Sequence, residues 1–347
     1  MNKKNTLIIC AIILVLSASL IKVGHSLARP ESQKREGLSE VYDITADGQI
    51  AAGIYNEGKP SVYLFDQNME NSKKIGEGNL TQELSFLQFS PDNTKLLCIF
   101  STKQIQGQDD RTDKEKKAIE SSILEYDLNS GKMKTLFNKK GIIQRAYFTK
   151  DNKQIIWRFL SDQNSLLFPA QRSDDHIYAY HIELNKQTPL QLELPKGPYE
   201  NPQYTLELIN KDSLYLSISE GYTDDWTKKK PEDSLLKYSL SNLHNYEYIQ
   251  IPDHSVGSLA ISQKGNNFSY VTSSNPDQYE PELCLWNLEK KEKTILSNTI
   301  KAPSNLRFSE DAKLIYYMED SINRYNKHKY TLFRYDIHMN ISEKVNK

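Results

Sequence analysis

From residue 38 onward, two short patterns of apolar and polar positions alternate along the chain. The first is an apolar residue, a Ser, Thr or Asn, any residue, then usually Asp, followed by an apolar run. Its copies are Ile44-Thr45-Ala46-Asp47, Phe89-Ser90-Pro91-Asp92, Phe148-Thr149-Lys150-Asp151, Ile209-Asn210-Lys211-Asp212, Ile261-Ser262-Gln263-Lys264 and Phe308-Ser309-Glu310-Asp311. Only the copy ending in Lys264-Gly265 lacks the Asp. The second pattern is a period-2 run centred on an aromatic: Phe65, Tyr126, Tyr180, Tyr238, Trp286 and Tyr335.

Each pattern has a physical meaning. Asp-Gly, Asp-Asn and Gly-Asn tolerate left-handed backbone, and Asp bonds its own backbone two residues on, so the first pattern predicts strand, tight turn, strand. Period-2 alternation predicts a third strand with the six aromatics on a buried face. A polar turn and a weak fourth strand follow, as in 132–137 and 293–296. Each unit is then a four-stranded antiparallel meander that cannot bury both faces alone, so units must stack. The alternating anchors count six units of about 52 residues each. The expected fold is all-β: a six-bladed β-propeller of four-stranded antiparallel blades over residues 38–347, preceded by one N-terminal hydrophobic helix. The first unit opens on its inner strand and the last ends on its outer one, 341–345. The ring is therefore expected to close without a strand shared between the termini.

Residues 6–21 hold no charge; Lys3 and Lys4 precede them and Lys22 follows. As a helix this stretch spans ~24 Å, short of a bilayer core of about 30 Å, and snorkelling of Lys22 closes part of the gap. The basic residues in front keep the N-terminus inside and send the rest across. Residues 1–26 are read as a signal-anchor or a signal peptide. Cleavage after Ser26 or Ala28 is the alternative, but Lys22 and His25 make a poor cleavage context and favour the anchor. Residues 27–37 are a polar linker. The expected location is the cell membrane, single-pass with the propeller outside, or secretion after cleavage.

Composition narrows function. Lys+Arg total 44 and Asp+Glu 45, a balance that argues against nucleic acid as a partner. The 21 tyrosines and the spread of β-branched residues favour strands. Cys98 and Cys284 lie in apolar runs and read as buried small hydrophobes, with a disulfide between them as the alternative in an oxidising compartment. No CxxC or Cys/His cluster occurs, so no metal and no cofactor is expected.

Phe89-Ser90-Pro91-Asp92, followed by Asn93, Lys95 and Leu96-Leu97, resembles the repeat of TolB-type, WD40-like propellers, which also occurs in prolyl-oligopeptidase-like enzymes. The 308–313 copy is near this pattern and the 261–264 copy is far from it. The resemblance covers 38–347 and implies the fold; its residues are turn and core positions that specify no activity. TolB-like proteins carry an extra α/β domain before the propeller, where only a short linker stands here. The peptidases follow their propeller with a hydrolase domain, which this sequence lacks.

No nucleophile elbow, zincin, P-loop or dinucleotide motif is present. Asp109-Asp110-Arg111-Thr112-Asp113 lacks the Gly and distal Glu of a calcium loop. His176 and His181 differ by five and point to opposite faces of a strand, which disfavours a metal beside Asp174 and Asp175. Loop length is more informative. The connection between second and third strands is long in five units: 101–121, 161–175, 220–233, 273–282 and 319–329. All are of one type, so all should leave one face of the ring, where scaffold-held loops bind ligands. They carry the candidate binding residues Arg111, Arg172, Asp174, Tyr222, Asp224, Asp225, Trp226, Tyr279, Arg324 and Tyr325, with Phe168, the mixture that protein or glycan interfaces use. The expected function is a non-enzymatic extracytoplasmic binding module, monomeric, contacting an envelope protein, a peptide or a glycan through that face. The alternative is a carbohydrate-active enzyme, a lyase or glycoside hydrolase, with converging acid–base residues at the channel mouth.

Overall fold

The computed structural model describes residues 35–102, 120–160, 176–192, 202–210, 212–220, 234–253, 257–273, 280–301, 303–322 and 328–345. These form six antiparallel sheets, each of four strands consecutive in sequence. Blade one is β1 (Gly37–Ile44), β2 (Ile50–Asn56), β3 (Lys59–Phe65) and β4 (Ser72–Glu77). Blade two is β5 (Gln82–Phe89), β6 (Lys95–Thr102), β7 (Glu120–Asp127) and β8 (Lys132–Lys140). Blade three is β9 (Ile142–Phe148), β10 (Gln154–Leu160), β11 (His176–His181) and β12 (Lys186–Pro189). Blade four is β13 (Pro202–Asn210), β14 (Ser213–Glu220), β15 (Ser234–Ser239) and β16 (Asn242–Gln250). Blade five is β17 (Leu259–Ile261), β18 (Asn267–Ser273), β19 (Pro281–Asn287) and β20 (Glu292–Ser297). Blade six is β21 (Pro303–Phe308), β22 (Leu314–Ile322), β23 (His328–Asp336) and β24 (Ile341–Lys344). The first strands neighbour one another in order, and β21 also lies against β1, closing a six-bladed β-propeller.

The turn chemistry explains why the units fold alike. In five blades the residue directly after the four-residue pattern has left-handed backbone: Gly48, Asn93, Asn152, Gly265 and Ala312. Its N–H donates to the carbonyl of the turn's Ser or Thr, as from Asn93 to Ser90 at 2.9 Å. The hydroxyl of that residue donates to the Asp carboxylate: Ser90 to Asp92 at 2.6 Å, Thr149 to Asp151 at 2.7 Å, Ser309 to Asp311 at 2.7 Å. The same hydroxyl accepts a backbone N–H of the second strand, such as Lys95 N at 2.9 Å. One side chain thus satisfies the corner that a chain reversal leaves open. Without the Asp, Ser262 donates instead to Asn266. Blade four turns more tightly, with Asn210 already paired to Ser213.

The aromatics of the third strands fill the space between blades. Phe65, Tyr126, Tyr180, Tyr238 and Tyr335 are buried and Trp286 is half-buried. Rings of adjacent strands interlock, as for Phe86 and Tyr147 at 5.2 Å in an edge-on pair, a geometry aromatic quadrupoles favour. Cys98 and Cys284 are free and buried in blades two and five, as small hydrophobes. Burial holds the Cys284 thiol protonated, pushed up to about 12.

Polar clasps join the inner strands. Phe89 N donates to Asp43 Oδ2 at 2.7 Å, Phe148 N to Gln88 Oε1 at 2.9 Å, and Leu306 N to Ser258 Oγ at 3.1 Å. The seam between blades six and one has its own set. Arg307 Nε meets Asp43 Oδ1 at 3.3 Å, Tyr42 OH donates to the Asn305 carbonyl at 2.6 Å, and Asn305 Nδ2 donates to the Glu40 carbonyl at 2.9 Å. Among the described residues no strand crosses this seam: each sheet draws on four consecutive strands.

Candidate functional site: the long-connection face

An antiparallel meander sorts its connections onto two rims. First-to-second and third-to-fourth turns share one rim; second-to-third connections and the links to the next blade share the other. The first rim is built of compact bonded turns. At its third-to-fourth corners, Asp66 accepts N–H groups of Glu70 and Asn71 at 2.9 and 3.1 Å. Gly131, Asn185, Lys291 and Asn340 supply left-handed residues at the corresponding corners of blades two, three, five and six.

The second rim is different. Blade one crosses from β2 to β3 through Glu57-Gly58, both at positive φ. The other five blades use 103–119, 161–175, 221–233, 274–280 and 323–327. Four of these, of seven to seventeen residues, are long and belong to one type and one face, as their sequence positions predict; the blade-six connection, expected over 319–329, is only the five residues 323–327, no longer than the first-rim turns, because β22 and β23 extend to 322 and 328. The ten candidate binding residues Arg111, Arg172, Asp174, Tyr222, Asp224, Asp225, Trp226, Tyr279, Arg324 and Tyr325 fall inside these connections and outside the described residues. Residues 6–21 lie outside them as well; among the described residues no helix is long and apolar enough to cross a membrane. His176 and His181 stand at opposite ends of β11. Among the described residues no group of three or more His, Cys, Asp or Glu converges as metal ligands.

The stems of the connections do bring chemistry together where blades six, one and two meet. Asp320 on β22 and His328 on β23 flank 323–327, with Asp320 Oδ2 and His328 Nδ1 2.6 Å apart. His328 stacks on Tyr330, centroids 6.2 Å apart. Asp320 Oδ1 is buried and has no hydrogen-bond partner among the described residues. Arg35, just before β1, lies 5.6 Å from the Tyr55 ring centroid and 3.7 Å from Glu83. Between these groups stands Glu40 of the innermost strand β1. Glu40 is exposed to solvent; partial desolvation by its neighbours raises its carboxyl above the usual carboxylate range, Asp320 adds to the rise, and Arg35 and His328 oppose it. Burial, with Glu40 and Asp320 nearby, pushes the Tyr330 hydroxyl up to about 12. The result is a mixed site with a reluctant carboxylate, a His–Asp pair and phenolic donors, suited to hydrogen-bonding a polar ligand.

Sequence reasoning passed over Glu40, Asp320, His328 and Tyr330. A signal existed for two of them: His328 and Tyr330 immediately follow the connection that holds Arg324 and Tyr325. Their convergence had none, since they come from opposite ends of the chain. A second cluster on the same rim is aromatic. Lys139 Nζ at the end of β8 lies 4.9 Å from the Phe159 centroid and 5.1 Å from that of Tyr178. This tethers the stem of 161–175 to blade two through cation–π attraction.

No family model and no curated protein matches the chain. Solved structures do. TolB from Acinetobacter baumannii is similar at 13% identity and a TM-score of 0.53, over 82% of this chain and 58% of that one. The chain thus spans little more than half the length of that TolB. The β-propeller domain of the trilobed protease from Pyrococcus furiosus, described as having an open velcro topology, is similar at 10% identity and a TM-score of 0.51, over 91% and 84%. An oligogalacturonate lyase in complex with manganese is similar at 13% identity and a TM-score of 0.50, over 86% and 89%. What these likenesses establish is the fold: a six-bladed, TolB-like β-propeller architecture, shared with lyase and protease propellers alike.

Proposed function

We propose that this chain is a non-enzymatic binding propeller, held outside the cytoplasmic membrane by residues 6–21. It contacts an envelope protein, a peptide or a glycan through its long-connection face. The observation that carries this reading is the asymmetry of the two rims. One is closed by turns that bond to themselves, while the other joins its strands through connections of seven to seventeen residues in four blades, 103–119, 161–175, 221–233 and 274–280. Trp226, in Asp224-Asp225-Trp226, is the aromatic anchor. The test is binding of the full chain to glycan and peptide arrays and to isolated envelope proteins, with Trp226→Ala beside it. The variant should keep its melting temperature and lose about tenfold or more in affinity. Unchanged affinity for every captured ligand would overturn the reading.

The Glu40 cluster favours a second reading, a carbohydrate-active lyase or glycoside hydrolase working at the channel mouth. A carboxyl raised by desolvation beside a His–Asp pair is a usable acid–base group. Turnover of a glycan panel that Glu40→Gln abolishes would establish it and displace the first.

A further inference from the structure

β1 is the innermost strand of blade one, and it starts at the long-connection rim. Gly37 at its head pairs with Tyr55, next to the Glu57-Gly58 turn of that rim, and Ile44 at its foot leads into the first-rim turn at Thr45. The chain before β1 therefore leaves the ring from the long-connection rim, on its inner side. Arg35 fastens it there, over the Tyr55 ring and 3.7 Å from Glu83 of blade two. Thirteen residues, 22–34, then separate Arg35 from the end of the apolar stretch 6–21. Fully extended, that many residues reach about 45 Å; relaxed, they span about 20 Å.

We propose that the long-connection rim is the membrane-facing surface of the propeller, and that its partner is the membrane-adjacent part of a second protein held in the same bilayer. This rests on the reading of residues 6–21 as the anchor. Reach decides against the reverse orientation. To turn the other rim to the bilayer, the linker would first cross three strand spacings, about 14 Å, to clear the outer edge of a blade. It would then descend the length of the eight-residue β1, about 27 Å. That consumes about 41 Å of a reach of about 45 Å and leaves the linker without slack. The shorter way, down the central channel, would thread the chain through its own ring, which folds avoid. With the long-connection rim turned to the bilayer, the relaxed linker suffices. A ligand must then enter the space between rim and bilayer. A protein held in that bilayer is already there, at the high effective concentration that a short tether gives. Lipid itself is the poorer occupant. Residues 38–347 carry 38 Lys and Arg against 43 Asp and Glu, and a net negative propeller gains nothing from anionic headgroups.

The test is energy transfer from single labelled cysteines to a headgroup-attached acceptor, with the full chain reconstituted in phosphatidylcholine vesicles. Leu80→Cys and Ile322→Cys label the long-connection rim, and Leu184→Cys and Met339→Cys the other; all four positions are exposed. The background is Cys10→Ala, and the buried Cys98 and Cys284 stay unlabelled. Transfer from 80 and 322 should exceed that from 184 and 339 by about twofold or more, the rims being about 27 Å apart. Thirty Gly and Ser residues inserted after Ser32 should equalise the rims at an unchanged melting temperature. Equal transfer in the native-length chain, or more from 184 and 339, overturns the orientation and leaves the anchor standing. A chain that does not stay with the vesicles overturns the anchor and the proposal together. A difference that survives the long linker overturns the partner by assigning the rim to lipid. In native envelopes, a photocrosslinker at Ile322, but not at Met339, should join the chain to a protein that alkaline washing leaves in the bilayer. No adduct, or adducts only with proteins that washing removes, also overturns the partner.

Discussion

Ala312 occupies a position where the chain elsewhere uses Gly or Asn. Its φ of 57° matches Asn93 and Asn152 at the same corner of other blades, at 56° and 57°. A Cβ in left-handed backbone is strained, and the strain exceeds what Ala saves in unfolded-chain entropy. Ala312→Gly should therefore stabilise the protein by about 0.5–1 kcal/mol, read as a higher urea midpoint, whereas Asn93→Ala should lower it. The corner was legible in sequence because everything it needs is local. Ser309, Asp311 and Leu314 lie within five residues of one another, and their bonds follow from residue type. The Glu40–Tyr330 neighbourhood was not legible, because no local rule relates residues from the two ends of the chain.

At the scale of elements, the strands were readable and the partners of their surfaces were not. Period-2 alternation located all six third strands, and the alternating turns fixed blade order. Trp286 shows where the pattern stops: its position in the run equals that of Tyr335, yet it is only half-buried. Burial depends on how the next blade lies against it, which periodicity does not encode. The connections add a second lesson. Blade one makes the same second-to-third pairing through two residues that the others make through many, so connection length is not required for the blade. Replacing 161–175 with a Glu-Gly turn should leave the strand content by circular dichroism intact. Loop closure changes by only about 0.6 kcal/mol per doubling of length, so the melting temperature should stay within a few degrees. Ligand binding should be what suffers.

At the scale of the whole molecule, the ring depends on one seam. Asp43 is the hub, holding Arg307 of blade six and the Phe89 amide of blade two at once. Burial raises its carboxyl, and Arg307 and the amide pull it back. Arg307→Ala leaves that carboxylate unpaired and should cost about 2–3 kcal/mol, and Asp43→Ala should cost at least as much. The double variant should cost less than the sum, by a coupling of about 1–2 kcal/mol in a denaturation cycle. Among the described residues no strand is shared between the first and last blades, so main-chain bonding within their sheets does not span the two ends. The ring is therefore mechanically an open collar fastened by side chains. A pull on its two ends loads those clasps and the apolar cluster of Tyr42, Phe65, Tyr316 and Leu332 beside them, with no backbone ladder among the described residues in parallel to carry the force. Under tension the seam is the fuse, and the blades beyond it stay whole until it has gone.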